Sequence, residues 1–242
     1  AVPRLAHSPP STNPSPPEIF LLPRKVARVA DAEIELFERD LILEIRGSKL
    51  QRRRAKKYAE GVMAQRTGPV TITDDYDDGD LTMLYVPQEA VGFVTGRAGN
   101  FLRTIEEEWQ TLMFFCEVGR GGRDKEYEKL AIFGEVRGRR GAELKVLSAV
   151  ETKVPGYFDK IKDEVLRRDE GKGDDRTWGT DSMTFQDDEL SYALGKQGST
   201  RKKLERSSGA IVQYIRPHRA VLWPQEGEAP RQRVHQVALL AA

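Results

Sequence analysis

Apolar and polar positions along the chain fall into three loosely matching frames. The first opens with a helical pattern from Arg24 toward Leu36, then a strand-like run Leu41–Ile45 and a helical stretch Ser48–Gln65. The second has a helical pattern from Leu102 to Met113, the apolar run Leu130–Phe133 and a helix around Gly138–Val150. The third runs from Arg201 to Val212, then Ala220–Trp223, then a helix around Ala229–Ala242. Each frame therefore predicts helix, strand, strand, helix. Val26, Ile105 and Leu204 occupy one shared position, and Ala32, Thr111 and Ala210 another.

The second and third frames extend upstream in the same way. A short strand (Leu81–Val86; Met183–Phe185) leads to a short helix (Gln88–Thr95; Asp187–Leu194), then to a Gly-x-x-Gly turn and the longer helix. The repeated unit is β-α-[GxxG]-α-β-β-α. It is expected to place its helices on one face of a three-stranded sheet, and each copy is expected to fold as one small domain. Three stretches rich in Asp or Gly interrupt the pattern. Thr73–Asp80 and Asp169–Asp181 read as linkers between copies, and Gly119–Glu128 as a loop within the second. Residues 1–17 hold several Pro and Ser and no acidic residue, which predicts an extended or disordered segment.

The run from Val86 to Ile105, with Gly92, the loop Gly96-Arg97-Ala98-Gly99 and the apolar anchor Ile105, resembles the core of a type I KH domain. The run from Leu190 to Leu204, with the loop Gly195-Lys196-Gln197-Gly198, is similar to the same element, except that Ser191 replaces the upstream glycine. A single GxxG recurs by chance and is most often an ordinary turn. Two in matching frame, each with its anchor nine residues past the first glycine, are specific. The resemblance covers residues 81–151 and 180–242 fully and 18–66 in part. In the first copy the loop position falls on Pro17-Glu-Ile-Phe20, without glycine. That copy is either degenerate or lacks its start in this chain.

The resemblance implies an α+β fold of tandem type I KH domains (β-α-α-β-β-α), each a three-stranded antiparallel sheet with three helices on one face. The expected division is 1–17 disordered, 18–72 a partial or degenerate domain, 73–80 an acidic linker, 81–155 and 181–242 two KH domains, and 156–180 a linker between them. It also implies single-stranded RNA as partner. A glycine turn lets the backbone approach a phosphate, and the helix that starts there favours an anion. The residues so implicated are Gly195, Lys196, Gln197, Gly198, Arg201, Lys202, Leu190 and Ile211 in the third copy. In the second they are Gly96, Arg97, Ala98, Gly99, Val94 and Arg103. Val91, Leu112 and Ala193 complete the expected base groove, for which core packing is the competing reading.

Charge separates the two loops. The net charge is only +1, so attraction for RNA must be local. Lys196, Arg201, Lys202, Lys203 and Arg206 surround the third-copy loop against Glu205, whereas Glu106, Glu107 and Glu108 follow the second. The third-copy loop is therefore expected to be the stronger clamp. The acidic run leaves open a scaffold reading in which the KH units mainly contact other proteins of a ribonucleoprotein. The basic run from Arg46 to Arg66 fits an RNA-tracking helix, a nuclear localisation signal or a solvated helix face. Nuclear and cytoplasmic locations both fit, and an organelle fits if Ala1 follows a cleaved transit peptide.

No enzyme class is expected. His7, His218 and His235 lack metal-ligand spacing, and nucleotide-binding and nucleophile motifs are missing, so neither cofactor nor metal is expected. A nuclease or helicase using KH units as accessories would need a catalytic domain that the sequence does not show. No apolar run reaches the ~20 residues of a membrane helix. The single cysteine, Cys116, excludes a disulfide framework and reads as a packed core residue.

Overall fold

The computed structural model describes residues 18–37, 39–40, 42–65, 68, 70–72, 79–118, 126–167, 179–215 and 234–241. The fold is mixed α+β. The first frame forms α1 (Glu18–Ala30), a hairpin of β1 (Glu33–Phe37) and β2 (Ile42–Arg46), and α2 (Lys49–Ala64). Ser48 starts α2 with a reciprocal cap. Its hydroxyl accepts from the Gln51 backbone N–H at 3.2 Å, and the Gln51 side chain accepts from the Ser48 N–H at 2.8 Å. The same Gln51 amide donates to Asp31 at 2.9 Å, which fixes the cap to the turn after α1.

The second frame supplies β4 (Leu81–Pro87), α3 (Gln88–Thr95), α4 (Asn100–Trp109), β5 (Leu112–Val118), β6 (Tyr127–Phe133) and α5 (Val136–Lys153). Before it, β3 (Val70–Ile72) runs parallel to β5, so the sheet order is β3-β5-β6-β4. The β4–β6 and β5–β6 pairs are antiparallel, with Leu84 opposite Leu130 and Met113 opposite Ile132. A further helix, α6 (Tyr157–Arg167), follows α5. The third frame gives β7 (Gly179–Gln186), α7 (Asp187–Leu194), α8 (Ser199–Ser208), β8 (Ile211–Ile215) and β9 (Val234–Ala241), in the order β7-β9-β8.

The alternation along β5 shows where the cores lie. Met113 joins Leu102 and Ile105 of α4 and Leu144 and Leu147 of α5 on one face. Leu112, Phe114 and Cys116 point to the other face, against Val26 and Val29 of α1 and Tyr58 and Ala59 of α2. The sheet is thus covered on both sides, and the first frame is its second cover. Each large side chain so enclosed contributes about 1.5–3 kcal/mol. The same rule holds one frame later. In β8, Val212 and Tyr214 pack with Ala193 and Leu194 of α7, while Ile211 and Ile215 belong to the core that contains α5. Helix α5 therefore serves two sheets, which explains why it is buried nearly all round. Ser148 on α5 donates to the Tyr214 carbonyl at 3.2 Å, and Arg137 to the Gly209 carbonyl at 2.6 Å.

Three expectations are corrected here. The copies do not fold as separate small domains, because both large cores draw side chains from two frames. The helix expected over 229–242 is instead strand β9 across 234–241, held between β7 and β8. The third sheet consequently has no terminal helix of its own among the described residues, and Leu204, the counterpart of buried Ile105, is 46% exposed. Thirdly, Asp80 is not a solvated linker residue. It is 1% exposed and accepts from Lys57 at 2.9 Å and from the Tyr58 hydroxyl. The expected strand Ala220–Trp223 and residues 1–17, 73–78, 119–125 and 168–178 lie outside the described residues.

Candidate nucleic-acid interface

Both glycine loops are short 3-10 turns joining two helices. Their backbones are nearly superposable in dihedral space. Gly96 has φ 71° and ψ 176°, and Gly195 has φ 69° and ψ 171°. Ala98 (φ 51°, ψ 31°) matches Gln197 (φ 54°, ψ 29°), and Gly99 (φ 77°) matches Gly198 (φ 74°). The hydrogen bonds match too. Gly96 N–H donates to the Gly92 carbonyl at 3.0 Å and Gly99 N–H to the Gly96 carbonyl at 3.2 Å. In the third frame Gly195 donates to Ser191 and Gly198 to Gly195, both at 3.1 Å. Ser191 thus replaces Gly92 without loss, because only its carbonyl is used.

The first glycine of each loop is required twice over. Its φ is left-handed, and a Cβ there would meet Phe101 Cβ at 2.7 Å in one loop and the Thr200 backbone N at 2.8 Å in the other. The second glycine starts α4 or α8 with no side-chain cap. The first N–H of each helix, from Asn100 or Ser199, donates to the carbonyl of Arg97 or Lys196, and no side chain competes for the rest of the first turn at the positive helix end. An arginine lies beside that glycine in each case. A Cβ on Gly99 would sit 3.9 Å from Arg103 Nε, and one on Gly198 would sit 3.9 Å from Arg201 Nε. Arg201 also donates to the Val212 carbonyl at 3.1 Å and pairs with Glu205 at 3.5 Å, so it braces α8 against β8 as well.

The exposed loop residues are Arg97, Ala98, Lys196 and Gln197, and Arg103, Lys202, Lys203 and Arg206 are exposed on the following helices. The groove residues are placed differently from expectation. Val94 is fully enclosed and Ile211 is 2% exposed, so both are core and neither offers surface to a base. Leu112 faces the α1–α2 side. Val91 and Ala193 are partly buried, and the Leu190 side chain lies outside the described part.

The acidic run after the second loop is also redistributed. Glu106 is buried, accepts from the Met113 N–H at 2.7 Å and pairs with Lys25 of α1. Burial pushes its carboxyl above the usual range, against the opposing pull of Lys25. Glu205 makes the same bond to Val212 N–H at 3.1 Å, so this glutamate holds the loop helix to the next strand in both frames. Glu108 pairs with Lys145 at 3.5 Å. Of the basic run in α2, Lys49, Arg52, Arg53 and Lys56 are exposed, whereas Lys57 is buried and Arg54 pairs with Asp80 at 3.5 Å. A feature the sequence reading missed is the pair Phe93 and Tyr192, exposed aromatics at equivalent positions on α3 and α7.

No family model matches the chain, and no curated protein matches it. Among solved structures, the chain is similar to Dim2p from Pyrococcus horikoshii OT3 at 15% identity and a TM-score of 0.28, over 66% of this chain and 80% of that one. A second similar structure is the a/eIF2alpha-aDim2p-rRNA complex from the same organism, at 15% identity and a TM-score of 0.26, over 69% of this chain and 80% of that one.

Proposed function

We propose that this protein binds single-stranded RNA, without catalysis, through two GxxG loops carried on tandem type I KH units. It would serve in post-transcriptional regulation or within a larger ribonucleoprotein. The observation that carries the reading is the near identity of the two loop backbones, each opening an uncapped helix at a constant separation of 99 positions from Gly96 and Gly195 onward. Supporting it are the strand orders β4-β6-β5 and β7-β9-β8, which a β-α-α-β-β unit requires when its last strand lies between the other two. The exposed cations around Gly195–Gly198 favour that loop as the stronger clamp. With Glu106 buried and Glu108 paired, the acidic run opposes RNA at the second loop less than its sequence implies.

The test uses two double substitutions, Lys196→Asp with Gln197→Asp, and Arg97→Asp with Ala98→Asp. All four residues are exposed, so the fold should persist. Binding to a random single-stranded RNA pool is measured at two salt concentrations. The first pair should weaken binding more than the second and flatten the salt dependence by roughly one unit per lost phosphate contact. Unchanged binding by both variants would remove the clamp from the mechanism.

A further inference from the structure

Phe93 and Tyr192 stand at the same place in the two repeats, three residues before the first loop glycine. Both rings are exposed, Phe93 at 49% and Tyr192 at 87%. Among the described side chains of these helices, Ala90 and Val94 are fully buried, Val91 is partly buried against the same core, and Ala193 and Leu194 pack with Val212 and Tyr214. A single exposed aromatic on a surface needs no explanation. Two in one repeat frame, each just before a glycine loop whose helix starts without a side-chain cap, do. What the pair shares is a ring and not a hydroxyl, which points to a contact with a flat apolar face. Three residues of helix rise about 4.5 Å, so the backbone that carries each ring lies less than one helical turn from the first loop glycine.

Resting on the RNA reading above, we propose that Phe93 and Tyr192 are base-stacking residues. One unpaired base lies on each ring while the adjacent loop holds the neighbouring phosphate. Every base has a π-face, so the contact adds affinity without choosing a sequence. It supplies what the expected groove cannot, since Val94 and Ile211 are enclosed in the core.

The experiment uses the full chain and two probes of equal length: a random-sequence single-stranded RNA and an abasic ribose-phosphate strand. The variants are Phe93→Ala, Tyr192→Ala, Tyr192→Phe and the double alanine. Each alanine should weaken binding to the RNA by about fivefold to a hundredfold. The slope of affinity against salt should stay as in the wild type, because no phosphate contact is lost. Tyr192→Phe should bind like the wild type, and none of the variants should alter binding to the abasic strand. If the double alanine binds RNA as the wild type does while Lys196→Asp/Gln197→Asp is weakened, stacking is refuted and the clamp stands. A loss in Tyr192→Phe equal to that in Tyr192→Ala would replace stacking with a hydroxyl contact. A wild type that binds neither probe overturns the RNA reading and this proposal together, and leaves the two rings as a protein contact.

Discussion

Asp80→Ala removes a buried polar contact between α2 of the first frame and the start of β4. Asp80 lies just before β4, and its carboxylate receives Lys57 at 2.9 and 3.0 Å, the Tyr58 hydroxyl, and Arg54 at 3.5 Å, all from α2. Its backbone carbonyl accepts from the Gly134 N–H at 3.1 Å. At an effective dielectric constant of ~20, two unit charges at this separation attract by about 6 kcal/mol, most of which offsets the cost of removing both from water. Truncation removes the attraction but leaves the desolvated Lys57 ammonium, wedged 5.3 Å from the Phe133 ring centroid and 5.4 Å from that of Tyr58. The expected loss is therefore about 3–5 kcal/mol, a large share of the ~5–15 kcal/mol typical of a folded chain. Urea denaturation followed by far-ultraviolet circular dichroism measures it from the shift in midpoint at fixed slope. Asp80→Leu combined with Lys57→Met should recover most of the loss, since a well-packed apolar pair often replaces a buried ion pair at little cost. A loss below ~1 kcal/mol for Asp80→Ala would refute the reasoning and return Asp80 to the role of a linker residue.

Two further outcomes follow from burial. Ile105→Ala should cost about 2–5 kcal/mol, because its side chain is fully enclosed, whereas Leu204→Ala at the equivalent but half-exposed site should cost under ~1 kcal/mol; paired melting curves compare them. Cys116 is buried beside Met83, and burial pushes its thiol up to about 12. It should resist iodoacetamide at neutral pH in the native protein and react once urea unfolds the chain, as peptide mass analysis would show.

Local signals were read well from the sequence. Paired glycines and apolar periodicity act within a few residues, so the two loops and the helices beside them were legible. What depends on distant partners was not. Asp80 looks like a linker residue until Lys57, 23 positions earlier, is seen against it. Glu106 looks solvated until α1 brings Lys25 to it. The run Val234–Ala241 has the alanine and leucine content of a helix, but it forms a central strand because both of its edges are paired. Val94 and Ile211 were expected at the groove because apolar side chains suit both a floor and a core, and only burial tells the two apart. Exposure alone revealed Phe93 and Tyr192 as an equivalent pair, since aromatic residues in a short apolar helix read as core.

The order in which covers and sheets occur along the chain bears on how the protein is made. Synthesis runs from the first residue onward, so α1 and α2 leave the ribosome before β4, β5 and β6, and α5 leaves before β7, β8 and β9. One face of each nascent sheet thus finds its helical cover already made as it emerges. Bare strand faces are what nascent chains most readily present to one another, and the order of elements leaves each sheet one such face fewer.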